Sequence, residues 1–185
     1  FIPNWAQTIY FEKVQRDWDA RRPMRYIVLK ARQIGVSTAT EAIIYCFSFM
    51  LRNSRGLVIA NDNDNSQHLL SMTDLYWETD PLRALYSTKY QAKNTLHWNE
   101  TRSSIRTTTA GNKSAGRSRT VHHLHASEVG FWDDPKTVMT GLLQAVPSLP
   151  QTLVALESTA NGVGNYFHSQ WQAAVLGETE YIPLF

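Results

Sequence analysis

Two runs, "RYIVLK" (25–30) and "GLVIAND" (56–62), are short, apolar and bounded by polar residues. That is the signature of strands buried on both faces, and it narrows the fold more than any other feature of the chain. "VHHLHASE" (121–128) and "QTLVALEST" (151–159) read as a third and a fourth strand. Helices are expected over 5–20, from "TATEAIIYCFSFMLR" to near Asn53, over about 65–78, in "TVMTGLLQAVP" and in "GNYFHSQWQAAVLG". Strands separated by helices predict an α/β fold: a mostly parallel sheet flanked by helices on both faces. "TLHWNETRSSIRTTTA" (95–110) breaks the alternation and reads as a hairpin at the sheet edge. "AGNKSAGRSRT" (110–120) is small, polar and basic, as a mobile loop is.

A chain of 185 residues can close a sizeable core and is expected to be a single domain spanning 1–185. It is 43% hydrophobic and 18% charged, which excludes a disordered chain. Net charge of +2 allows a nucleic-acid partner without arguing for one. One cysteine, Cys46, rules out a disulfide framework and a cysteine-rich zinc site; its apolar neighbours predict a buried thiol. The apolar stretch 42–51 is too short for a membrane span, and no signal peptide is visible. The chain opens on Phe1 and stops on "YIPLF", and is expected to be a fragment of something longer.

Between the first strand and its helix lies "KARQIGVST" (30–38). A phosphate-binding P-loop reads G-x-x-x-x-G-K-[ST]. With Gly35 as the second glycine, Ser37 takes the hydroxyl position that meets Mg²⁺, Lys30 stands for the first glycine and Val36 for the lysine. Arg32 is the candidate for the missing charge, since a guanidinium grips phosphate through two bonds. The loop sits where ligands bind in open α/β sheets, at a strand's carboxyl end and a helix N-terminus. The same letters also suit an ordinary turn with Ser37 as the helix N-cap.

Two further strand ends add to the case. Glu128 closes "VHHLHASE", where a P-loop ATPase needs a carboxylate to orient the attacking water, and Ser127 occupies the position usually held by a metal-shell Asp. "LESTANG" (156–162) ends in small hydroxyl and amide groups suited to sensing a γ-phosphate, or to making a plain turn.

Together "NWAQ", "KARQIGVST", "VIANDNDNSQHL", "GRSRTVHHLHASEVGFW" and "ESTANG" resemble, in order and spacing, the N-terminal ATPase domain of the large terminase subunit of tailed bacteriophages. The resemblance implies a P-loop NTPase-like (ASCE) fold and Mg²⁺-dependent ATP hydrolysis that drives double-stranded DNA into a procapsid. It implies phosphate contacts from Arg32, and a cradle of Gln33, Ile34, Gly35, Val36 and Ser37, with Ser37 or Thr38 on Mg²⁺ and Ser127 meeting the metal through water. It further implies Glu128 as the water-activating group and Ser158, Thr159 and Asn161 as the coupling motif. Adenine would be read by Gln7, or else Gln15, and Arg117, or else Arg119, would be an arginine finger in trans or in cis. The implied partners are double-stranded DNA, a homo-oligomeric ring on a portal and the small terminase subunit; the implied location is the host cytoplasm, with no membrane. Val36 and Ser127 depart from the usual Lys and Asp. Large terminases carry a C-terminal nuclease domain; no acidic cluster of that kind follows "YIPLF", so no nuclease activity is expected of this chain.

Two rival readings stand beside this one. His123 and His125 alternate onto one strand face with Asp133 and Asp134 close behind, which suggests a His/carboxylate metallohydrolase. Arg102, Arg106, Lys113, Arg117 and Arg119 suggest a helicase-like nucleic-acid-binding P-loop module.

Overall fold

The structure, a computed structural model, describes residues 2–92, 94–112, 115 and 120–185, the side chains of 89–92 excepted. Helix α1 (Trp5–Asp19) leads to β1 (Met24–Leu29), and α2 (Val36–Met50) to β2 (Arg55–Ala60). After α3 (Asn63–Thr79) come β3 (Thr88–Ala92), β4 (Thr95–Trp98) and β5 (Ser104–Thr109). Then follow β6 (His123–Ser127), α4 (Pro135–Leu143), β7 (Leu153–Ser158), α5 (Tyr166–Val175) and β8 (Ile182–Leu184). The eight strands form one sheet in the order β3-β4-β5-β2-β6-β7-β1-β8. From β5 to β8 every pairing is parallel, and β3 and β4 add an antiparallel hairpin at one edge.

The expected α/β sheet is therefore present; the hairpin expected over 95–110 is β4–β5, but β5 pairs onward in parallel with β2, and the edge is β3, which lies outside that stretch. β4 buries alternate residues, Leu96 and Trp98, as a strand with one dry face should. Trp98 lies in edge contact with Tyr45, Phe49 and Trp77, which ties the hairpin to α2 and α3.

Along the central strands, residues two apart share a face, so each strand feeds two cores. Tyr26, Val28, Val58, Leu153 and Ala155 pack under α1, α2 and α3. Ile27, Leu57, Ile59, Leu124 and Leu156 pack under α4 and α5. Helix α2 is buried almost all round; the row Cys46 and Met50, four apart, is exposed. Cys46 thus stands on the solvent side of α2, contrary to the buried thiol expected, because its helix leaves one narrow stripe uncovered and the cysteine falls on it.

Candidate functional site: the loop between β1 and α2

The loop that joins β1 to α2 is shaped by two left-handed residues, Gln33 (φ 60°) and Gly35 (φ 80°). Gly35 is the N-cap of α2, so the alternative with Ser37 as cap does not hold. A Cβ on Gly35 would lie 2.4 Å from Gln7 Nε2, so close approach as well as backbone angle demands glycine. The other four α-helices of the described residues are capped by the side chains of Asn4, Asp62, Asp134 and Asn165. Helix α2 has no side-chain cap. Its first N–H groups therefore face outward with the positive end of the helix dipole, an arrangement suited to an anion.

Helix α1 braces this loop from below. Asn4 Nδ2 donates to Ile34 O at 3.0 Å and Gln7 Nε2 donates to Gly35 O at 2.8 Å. Gln7 Oε1 meanwhile accepts from the Asn4 backbone N–H, closing the capping box of α1. Both ends of the Gln7 amide are thus engaged with backbone. Gln15 lies further along α1, exposed and bonded to Asp19.

Strand periodicity assembles the charged centre. Lys30 is two residues past Val28, Glu157 two past Ala155, and Ser127 two past His125, so all four polar groups face α2. Lys30 Nζ lies 2.8 Å from Glu157 Oε2 and 3.2 Å from Glu128 Oε1, and donates to Ser37 Oγ at 2.9 Å. Glu157 Oε1 accepts from Ser37 Oγ and Ser127 Oγ, each at 2.8 Å, and sits 3.0 Å from His125 Nε2. His125 Nδ1 contacts Glu41 Oε1 at 2.5 Å, and Glu41 Oε2 accepts from Thr73.

Three of these groups have their charged forms favoured by their partners. Burial opposes the His125 charge, but Glu157 and Glu41 outweigh it and lift its pKa to about 9. Burial likewise opposes the charge on Lys30, and Glu157 and Glu128 reverse that, holding its pKa above the ordinary value. Glu157 is held well below the carboxylate range by His125 and Lys30, despite complete burial. Lys30 and His125 thus lie among the carboxyl groups of Glu41, Glu128 and Glu157. The hydroxyl and carboxyl oxygens here are of the kind that suits a hard ion such as Mg²⁺.

Glu128 stands at the end of β6 in the left-handed region (φ 54°), an unusual backbone for a non-glycine residue. Its Oε2 accepts from Thr159 N and Thr159 Oγ1, each at 3.2 Å, and from Ser158 Oγ at 3.4 Å. Asn161 Nδ2 donates to Gly130 O at 2.8 Å, and Gly130 N donates to Ser158 Oγ at 3.2 Å. The segment after β7 is thereby laced to the turn that carries Glu128. A Cβ on Gly130 would lie 2.8 Å from Ser158 Oγ, so this lacing needs a glycine there.

A polar cleft of about 300 Å³ opens over this centre, lined by Lys30, Gln33, Gly35, Ser37, Ser127 and Glu128. Thr38 also lines it, with its carbonyl accepting from Tyr76 Oη, and Val36 is buried. Arg32 is exposed and borders the outer mouth beside Asn61, Glu128 and Thr159. An apolar cavity of about 350 Å³ lies on the loop's other side, among Trp5, Ile9, Tyr10, Ile34, Leu184 and Phe185. Arg117, Arg119 and Lys113 lie outside the described residues, as does most of the basic loop they belong to. Arg102 and Arg106 line a separate cavity with Arg55, which starts β2, whereas the β1–α2 loop joins the sheet's opposite rim.

By sequence alone, Lys30 aligns only with the first glycine of the pattern, and Glu157 and Glu41 receive no role. The signal available was the two-residue period, which carries the faces of β1 and β7 one step beyond their apolar runs. The metallohydrolase arrangement is not favoured. His123 is bonded to Ser54 Oγ and Gln151 O, His125 is held between two carboxylates, and Asp134 caps α4. Among the described residues no group of three or more His, Cys, Asp or Glu side chains could hold a metal ion.

No protein-family model and no curated protein matches the chain. Solved structures do. The large terminase of bacteriophage HK97 superposes over 100% of this chain with a TM-score of 0.80 at 13% identity. The fold is that of phage large-terminase ATPase domains. The ATPase domain of a Thermus phage large terminase matches 92% of the chain at TM-score 0.63 and 16% identity, covering 70% of its own length. The N-terminal domain of the phi29 DNA-packaging ATPase matches 85% at TM-score 0.57 and 11% identity, covering 84% of its own length. The chain spans 39% of the HK97 terminase. No helix among the described residues is long and apolar enough to cross a membrane.

Proposed function

We propose that this chain is an ATPase domain of a phage DNA-packaging motor, hydrolysing ATP with Mg²⁺ to move double-stranded DNA into a procapsid. The observation that carries the reading is the Lys30 ammonium, held among Ser37, Glu157 and Glu128 at the one α-helix N-terminus among the described residues without a side-chain cap. A strand-end lysine thereby does the work that Val36 cannot, and it reaches the phosphates from β1 instead of from α2. Gln33 to Thr38 offer backbone N–H groups to the β- and γ-phosphates, and Arg32 adds charge at the mouth. Gln7 contributes by bracing Gly35. The apolar cavity beside Ile34 suits a base.

Glu128 is the general base for the attacking water; Ser158 and Thr159 aim its carboxylate, and Lys30 balances its charge. Loss of the γ-phosphate is relayed through Ser158, Thr159 and Asn161, which lace the base to the segment after β7. Mg²⁺, when bound, neutralises charge on the transferring phosphoryl group. Ser37 would hold it directly and Ser127 through water. Arg117 or Arg119 serves as an arginine finger. The working state is a homo-oligomeric ring on a portal in the host cytoplasm, joined by the small terminase subunit.

The test compares Lys30→Ala, Arg32→Ala and Glu128→Gln in ATP hydrolysis and nucleotide binding. Lys30→Ala is expected to weaken binding and lower turnover by about 10²-fold or more, and Glu128→Gln to keep binding while turnover falls by about 10²–10⁴-fold. Arg32→Ala is expected to show a smaller loss. Unimpaired turnover in both Lys30→Ala and Glu128→Gln overturns the reading.

A further inference from the structure

We propose that Glu157, one strand away, performs the task of the acid missing at position 127: it positions the Ser37 hydroxyl and the Lys30 ammonium for the metal–phosphate pair. The inference rests on the ATPase reading above. P-loop enzymes hold their metal with the loop hydroxyl and an acid at the end of the neighbouring strand. Here that strand, β6, ends in Ser127, and the loop hydroxyl nevertheless has a carboxylate partner.

The sheet register accounts for the transfer. Ser127 and Glu157 are direct partners across the β6–β7 ladder and project to the same face. A glutamate on β7 carries its carboxylate over Ser127, and Oε1 accepts from Ser127 Oγ and Ser37 Oγ, each at 2.8 Å. Its other oxygen takes Lys30 Nζ at 2.8 Å. One carboxylate therefore fixes both loop groups, and its own position is fixed from behind. His125 Nε2 contacts Oε1 at 3.0 Å, and His125 is itself held by Glu41. A chain of supporting groups of this kind orients metal ligands without touching the metal. It also offsets the cost of a fully buried carboxylate, which alone would be destabilising. An aspartate at 127 beside Glu157 would set two carboxylates against each other in one dry space, so the pair works with a single acid.

The experiment titrates Mg²⁺ into the chain with a fluorescent ATP analogue, and repeats the binding in EDTA. Glu157→Gln is expected to raise the Mg²⁺ concentration for half-maximal binding by about 10–100-fold, with little change in EDTA. The exchange Ser127→Asp/Glu157→Ser, which returns the acid to β6, is expected to restore a Mg²⁺ requirement within about threefold of the parent, because a carboxylate again faces the loop hydroxyl from the neighbouring strand. An unchanged requirement in Glu157→Gln overturns the proposal. If that variant does not fold, the exchanged pair decides, and a folded exchange variant without Mg²⁺ coupling, or failure of both to fold, overturns it. Absence of nucleotide binding by the parent chain overturns the ATPase reading itself, whereas normal parent binding with an indifferent Glu157 removes this inference alone.

Discussion

At the scale of single residues, the centre is set by which side chains share a strand face. Counting along the P-loop pattern puts Lys30 in a glycine's slot and directs attention to Arg32. Counting by two along β1 puts Lys30 beside Glu157 and Glu128. Arg32 stands outside, at the mouth. Thr159 illustrates how the turn after β7 acts on the base: it gives Glu128 two hydrogen bonds, one from its hydroxyl. Thr159→Val keeps the backbone bond and removes the other. A charge-assisted bond of this type is worth about 1.5 kcal/mol or more, so kcat is expected to fall about tenfold with KM nearly unchanged. Steady-state kinetics checks this, and a rise in KM at constant kcat would point to a binding role instead. The letters of "VHHLHASE" and "ESTANG" brought these groups to notice singly; the bonds between them depend on parallel neighbours thirty residues apart, which no local pattern displays.

At the scale of elements, most strands and helices were legible because each is either an uninterrupted apolar run or a long amphipathic segment. β6 and β7 fall inside their expected runs, and β1 and β2 begin one residue before theirs. The two strands not foreseen, β3 and β8, are five and three residues long; β3 is mostly polar and β8 contains Pro183. Such segments become strands because an edge is available to them, a condition outside their own sequence. Helix α2 starts at Val36, two residues before the stretch expected, since the loop closes directly on Gly35. That glycine has φ 80° and no room for a methyl group against Gln7. Gly35→Ala is expected to cost about 1–3 kcal/mol in chemical denaturation and to weaken nucleotide binding with it. Equal stability of the two proteins would show that the turn adapts.

At the scale of the whole molecule, alternating strands and helices announced a parallel sheet, while the order of its strands was not legible. Order depends on which helix crosses which face, and all such crossovers look alike in sequence. One global property follows from a single core group. Burial drives the His123 pKa down to about 3, so the imidazole is neutral in the fold and takes a proton on unfolding. A depressed histidine pKa contributes fully above the unfolded value of about 6.5 and is a growing loss as pH falls from there toward 3. Near pH 4.5 that loss is roughly 2–3 kcal/mol, and His123→Gln is expected to flatten the decline over this window. Denaturation curves at stepped pH check it; parallel slopes for parent and variant would refute it. His125, with its raised pKa, acts in the opposite sense: its share is present below about 6.5 and fades as pH climbs through about 9.

The last ordered element leaves a mechanical consequence. β8 forms a ladder with β1, pairing Tyr26 with Ile182 and Val28 with Leu184, while Lys30 hangs two positions beyond on that same rail. Tension at the chain's final residues is delivered, across one row of hydrogen bonds, to the strand holding the ammonium group. On the ATPase reading, movement there and grip on a phosphate would be geared together.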